Sequence, residues 1–133
     1  MQNLIYAFIQ VFHNFGAATI VGLAVYGLVV TRGGPRPELG LVLATAWAIQ
    51  GISGASFGLT TYHFYHQLPD IDGVAIVALL IKVACVVLGF FIAISYAIWS
   101  KRLSLAAGQL VWIALTVLSA VALSAAAFLR WFS

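Results

Sequence analysis

Hydrophobic and polar positions along this chain fall into four long apolar runs separated by short polar connectors. The runs cover about residues 4–30, 39–66, 73–99 and 103–131, each longer than the roughly 20 residues that cross a bilayer as a helix. The connectors are brief. TRGGPRPE is a Gly/Pro turn, HQLPDIDG is another, and SKR is barely a turn, so sequential helices are expected to lie antiparallel as neighbours. The pattern predicts an all-α integral membrane four-helix bundle in up-down order, a single domain over 1–133.

One run departs from uniform apolarity. In QGISGASFGLTTYHFYHQLPDID, a helix at about 100° per residue places Gln50, Ser53, Ser56, Thr60, His63 and Gln67 on one side. His66 lies near the margin of that stripe, and Pro69, Asp70 and Asp72 are expected to end the helix and return the chain to water. A polar stripe on an apolar helix belongs against protein or an internal cavity.

Composition fixes the solvent. Hydrophobic residues make up 64%, charged residues 7%, and mean hydropathy is +1.11, so no water-facing surface can be assembled and the partner is the lipid bilayer. The net charge of +3 does not point to nucleic acid, because the basic residues flank the apolar runs. Arg32 and Arg36 occupy the first connector and Lys101 and Arg102 the third, whereas the second carries Asp70 and Asp72. The positive-inside rule then puts both termini on the periplasmic side of a bacterial inner membrane, with Arg130 the one dissenter. The first run, with no Lys or Arg before residue 32, is too long for a signal peptide and is expected to be a retained span. So small and apolar a chain is expected to join other membrane subunits or copies of itself.

Small residues are expected to set the packing: Gly16, Gly22 and Gly27 in the first run, Gly51, Gly54 and Gly58 in the second, Gly89 in the third. Trp99, Trp112 and Trp131 suit interfacial anchoring, with Trp47 and Trp112 standing deeper. Cys85, the single cysteine, excludes an internal disulfide and reads as a packing residue.

Ionisable chemistry inside the runs reduces to His13, His63, His66 and Lys82. At about 1.5 Å per residue, His13 lies roughly 15 Å in from the outer end of its helix, Lys82 roughly 14 Å and His63 roughly 9 Å. A lysine at such depth costs about 2.5 to 3.5 kcal/mol and requires a partner. No carboxylate is embedded, since Glu38, Asp70 and Asp72 all stand in connectors, so a proton pathway through buried acids is not expected. Haem b would use these residues best: neutral imidazoles from His13 and His63 as axial ligands, Lys82 or His66 at a propionate, and apolar walls around the ring. His13 and His63 differ in estimated height by about four residues, roughly 6 Å, which helix tilt must absorb, or a single histidine ligates. Copper is the alternative metal, although Met1 and Cys85 are the only sulfur donors. A cofactor-free structural subunit is the third reading.

The first helix reads VFHNFGAATIVGLAVYGLVV, the second contains WAIQGISGASFG, and the third reads VALLIKVACVVLGFFIAISYAIWSKR. From Phe12 to Arg102 this resembles the CopD-type four-helix membrane domain, in which a first-helix histidine, a second-helix glycine and a third-helix lysine recur. More distantly it resembles the HemJ-type protoporphyrinogen oxidases, small haem-binding membrane proteins, and that likeness implies roles for His13 and Lys82. The longer first-helix signature of those oxidases is absent. The expected function is membrane electron transfer or haem handling in the outer half, with a copper-handling transporter as the alternative.

Overall fold

A computed structural model describes residues 2–66 and 71–132. Four helices account for nearly all of them: α1 (Gln2–Val30), α2 (Pro37–Tyr65), α3 (Gly73–Trp99) and α4 (Leu105–Phe132). Each runs 27 to 29 residues, about 40 Å at 1.5 Å per residue, and so exceeds the ~30 Å hydrocarbon layer. All four are long and apolar enough to span a membrane, and no strand occurs among the described residues. The chain is an integral membrane four-helix bundle, with boundaries within two residues of those expected.

Short 3-10 turns, Thr31–Gly33 and Ser100–Arg102, finish α1 and α3. The first connector is then tied to the bundle. The Thr31 hydroxyl donates to the Gly27 carbonyl at 2.6 Å and accepts from Gln109 Nε2 at 2.9 Å, while the Arg36 backbone N–H donates to the Tyr96 hydroxyl at 3.2 Å. Pro37, whose missing N–H costs nothing in a first turn, opens α2. At its far end α2 stops where His66 turns left-handed (φ 52°) and its N–H closes on Tyr62. Gln67, Pro69 and Asp70, expected to take part in that ending, lie outside the described residues.

The helices form a ring in which α1 and α3 each pack against both α2 and α4. The core fills the half nearest the first and third connectors, where Trp47, Trp112, Leu43 and Leu115 are fully buried beside Ile20, Ala24, Ala93 and Tyr96. Large rings sit on glycines there. A Cβ on Gly89 would enter the Trp47 indole, one on Gly27 the Trp112 indole, and one on Gly40 would lie 2.9 Å from the Tyr96 ring and 3.0 Å from the Ala93 carbonyl oxygen. Trp112 is therefore a core residue rather than an interfacial anchor, while Trp99 and Trp131 are exposed. The glycine expectation is corrected in part: Gly22 and Gly58 face open space and bring no helices together.

Candidate functional site

The half of the bundle nearest the second connector holds a polar centre assembled from three helices. His13 projects from α1 to the bundle interior and is 9% exposed. Gln50 and Ser53, three apart on α2 and hence on one face, are buried beside it. Lys82 arrives from α3, on the opposite side of the ring.

Both imidazole nitrogens are engaged. Nδ1 lies 2.8 Å from Ser53 Oγ, and the Ser53 hydroxyl lies 3.1 Å from the Gln50 backbone carbonyl. Since that hydroxyl donates to the carbonyl, it accepts from Nδ1–H, which fixes the tautomer and leaves the Nε2 lone pair as an acceptor. Two donors reach that lone pair: Gln50 Nε2 at 2.9 Å and Lys82 Nζ at 3.0 Å. The network therefore supplies one donor too many at Nε2. It also leaves an acceptor over, for Gln50 Oε1 is buried with no partner. Turning the carboxamide by 180° exchanges its oxygen and nitrogen, and Oε1 then accepts a hydrogen from Nε2 when that nitrogen is protonated. The same heavy atoms thus accommodate two protonation states of the imidazole, each with one end of the Gln50 carboxamide on Nε2.

Glycines make room for this packing. A Cβ on Gly16, one turn along from His13, would lie 2.7 Å from Gln50 Oε1, and one on Gly54 would lie 3.6 Å from His13 Cε1. Phe57 meets the imidazole edge-on with centroids 5.6 Å apart. Toward the second connector the lining stays polar: Tyr6 shares a 2.9 Å hydrogen bond with Thr61, and Thr60 is half-buried. Toward the other face Trp47, Leu43, Leu115 and Trp112 close the bundle.

The expected residues separate into two groups. His13 and Lys82, placed at similar depth by residue counting, meet. His63 and His66 are exposed, and the His63 ring leans on its neighbour Phe64 with centroids 5.2 Å apart. His63 follows Ser53 by ten residues, roughly 15 Å along α2, so it does not share an iron with His13. The reason is the axial register of α1 and α2: His13 stands level with Gln50 and Ser53, and His63 occupies the last turn of α2. A cofactor pair of His13 and His63 does not fit this arrangement, and His66 lies still farther from His13. Among the described residues no three His, Cys, Asp or Glu side chains converge; the donors beside His13 are an amine, an amide and a hydroxyl. His13 alone is oriented as a ligating histidine is, its second nitrogen held by a hydrogen bond, yet ligation through Nε2 would displace both Gln50 and Lys82.

Gln50 and Ser53 were visible as members of the polar stripe, but nothing in the linear pattern distinguished them from Ser56, whose hydroxyl returns to its own helix at Ile52. Compared with known proteins, the chain matches no family model, no curated protein and no solved structure.

Proposed function

We propose that this integral membrane protein serves membrane electron transfer or haem handling, and that its His13–Lys82 pair holds one exchangeable proton for that chemistry. The observation that carries this reading is the 3.0 Å contact between Lys82 Nζ and His13 Nε2 at the bundle centre. A hydrogen bond between two nitrogen bases requires one of them to be the acceptor, so the pair in contact cannot carry two full positive charges. The one carboxylate of the described spans, Glu38, stands in the first turn of α2 beside Arg36, twelve residues or roughly 18 Å from Gln50, and the proton therefore has two homes, the lysine and the imidazole. Passing it from Nζ to Nε2 leaves a neutral amine and an imidazolium whose Nδ1–H stays on Ser53 and whose Nε2–H is met by the rotated Gln50 carbonyl. Polar side chains continue from this site toward the second-connector face, through Thr60 and the Tyr6–Thr61 hydrogen bond, which suits a proton store rather than a channel. Positive-inside logic makes that face periplasmic in a bacterial inner membrane.

Haem b on His13 is the finer reading, supported by the Ser53 hydrogen bond that orients the ring and by the CopD-type and HemJ-type resemblance. His13 would hold the iron, which supplies one-electron chemistry, and Lys82, released from Nε2, would meet a propionate.

Two measurements on detergent-purified protein test these readings. In ¹⁵N-histidine-labelled protein, the His13 ring should change its titration when Lys82 is replaced by Met; an unchanged titration curve refutes the shared proton. An oxidised and dithionite-reduced optical spectrum, on protein expressed with ample haem, should show a Soret band lost in His13→Ala. Colourless protein removes haem, and copper found by metal analysis moves the reading to a copper-handling transporter. An unaltered host activity after His13→Ala and Lys82→Ala would leave only a structural subunit.

A further inference from the structure

Two carboxamides stand on the outside of the bundle. Gln10 and Asn14 of α1 are exposed, and their side chains bond to one another, Gln10 Nε2 donating to Asn14 Oδ1 at 2.7 Å. They follow the start of α1 by eight and twelve residues, roughly 12 and 18 Å, and both lie within a segment that spans a membrane. Three outward hydroxyls of the spans solve the problem locally: Thr45, Ser56 and Ser124 each donate to the carbonyl four residues back. Gln50 and Gln109 are used inside, on His13 and on Thr31. The Gln10–Asn14 bond uses neither the Gln10 carbonyl oxygen nor the Asn14 NH2, and on exposed side chains hydrocarbon offers them neither a donor nor an acceptor.

The same ridge of α1 continues through Ala18 and Gly22, both exposed. Gly22 meets nothing within 4 Å, unlike Gly16 and Gly27, which receive Gln50 and Trp112. Positions 10, 14, 18 and 22 lie four apart, along the ridge that two helices follow when they cross right-handed at close range. We infer that this ridge pairs with the α1 ridge of a second copy of the chain in parallel, about a two-fold axis. The occupant is a second copy because the exposed pair presents a free carbonyl acceptor on Gln10 and a free NH2 on Asn14, so a two-fold repeat of it is its own complement, with Gln10 oxygen of each copy accepting from Asn14 of the other. Neither ion nor apolar knob of another subunit would satisfy both groups. His13 follows on the inward side of the same turn, so pairing sets the orientation of the helix that carries the buried centre.

The experiment uses the full chain in lipid nanodiscs and in proteoliposomes. Donor- and acceptor-labelled copies should show energy transfer that falls on dilution with lipid, and Gln10→Leu/Asn14→Leu should weaken the association by roughly tenfold, since each interhelical amide contact contributes modestly. Leucines suit hydrocarbon, so the double variant retains its helix content, and circular dichroism verifies it. In a Cys85→Ala background, Ala18→Cys should cross-link copy to copy through a disulfide, whereas Phe12→Cys, exposed on another side of α1, should not. Monomeric protein in bilayers, unchanged association of the leucine variant, cross-linking from position 12 instead of 18, or cross-linking of Ala18→Cys only to a different polypeptide would each overturn the inference.

Discussion

The two halves of the bundle are held together by different physics. Near the first and third connectors, indole and phenol rings drop onto Gly27, Gly40 and Gly89, and the specificity is one of shape. Near the second connector, His13, Gln50, Ser53 and Lys82 meet across three helices, and the specificity is one of donors and acceptors. Shape tolerates an imperfect hydrogen-bond account, as the unpartnered indole N–H groups of Trp47 and Trp112 show. An unmatched group costs more in the polar centre, where it is a charge or a strong dipole out of water, and there the unpartnered Gln50 Oε1 stands one carboxamide rotation from a partner. The well-packed half closes the bundle toward the first and third connectors, and polar side chains continue from the centre toward the second.

The contrast is broken most forcefully from the packed half. Gly89→Leu drives a side chain into the Trp47 indole and should cost about 3 kcal/mol or more, read as loss of the folded protein in thermal unfolding in detergent. Gly58→Ala, which meets only open space, should instead leave the melting temperature level or slightly higher. In the polar half, His13→Ala strips Lys82 of its hydrogen-bond partner and should cost about 2 to 3 kcal/mol. The double change His13→Leu with Lys82→Met should recover most of that loss, since an apolar pair needs no partner. If the double variant is as unstable as the single one, the cost lies in packing and the two halves do not differ as described. Ser53→Ala removes the acceptor of Nδ1–H and should cost about 1 kcal/mol; ¹⁵N shifts of the imidazole should then show a mixture of tautomers. Smallest of all, His63→Ala should stay within about 0.5 kcal/mol. His66→Gly should raise stability by about 0.5 to 1 kcal/mol, because glycine holds φ 52° without a Cβ penalty.

Much of the candidate site was readable along the chain, and the unreadable part has a definite cause. Counting residues from helix ends put His13 and Lys82 at matching depths because both helices begin close to where their apolar runs begin. The same count misjudged His63, because it took both heights from helix ends, whereas packing sets His13 level with Gln50 and Ser53, ten residues short of His63. The axial register of α1 against α2 thus separated a supposed ligand from its partner. Gln50 and Ser53 were visible only as part of a stripe, and Gly16 only as one small residue among several. Their common purpose depends on how α1 and α2 are rotated toward each other, a matter of packing that no single run encodes.

Taken by itself the sequence determined that this is a four-span membrane protein, where its helices run and which ionisable groups they carry inward. Those are consequences of transfer free energy and helix rise, which act locally and add up along a run. Tertiary structure alone decided that Lys82 answers His13, that Gln50 and Ser53 complete the pair, that His63 stands apart, and that Gln10 and Asn14 are left facing out. Each of these depends on the rotation of one helix about its axis relative to another, and that angle is set by side chains brought together from distant parts of the chain.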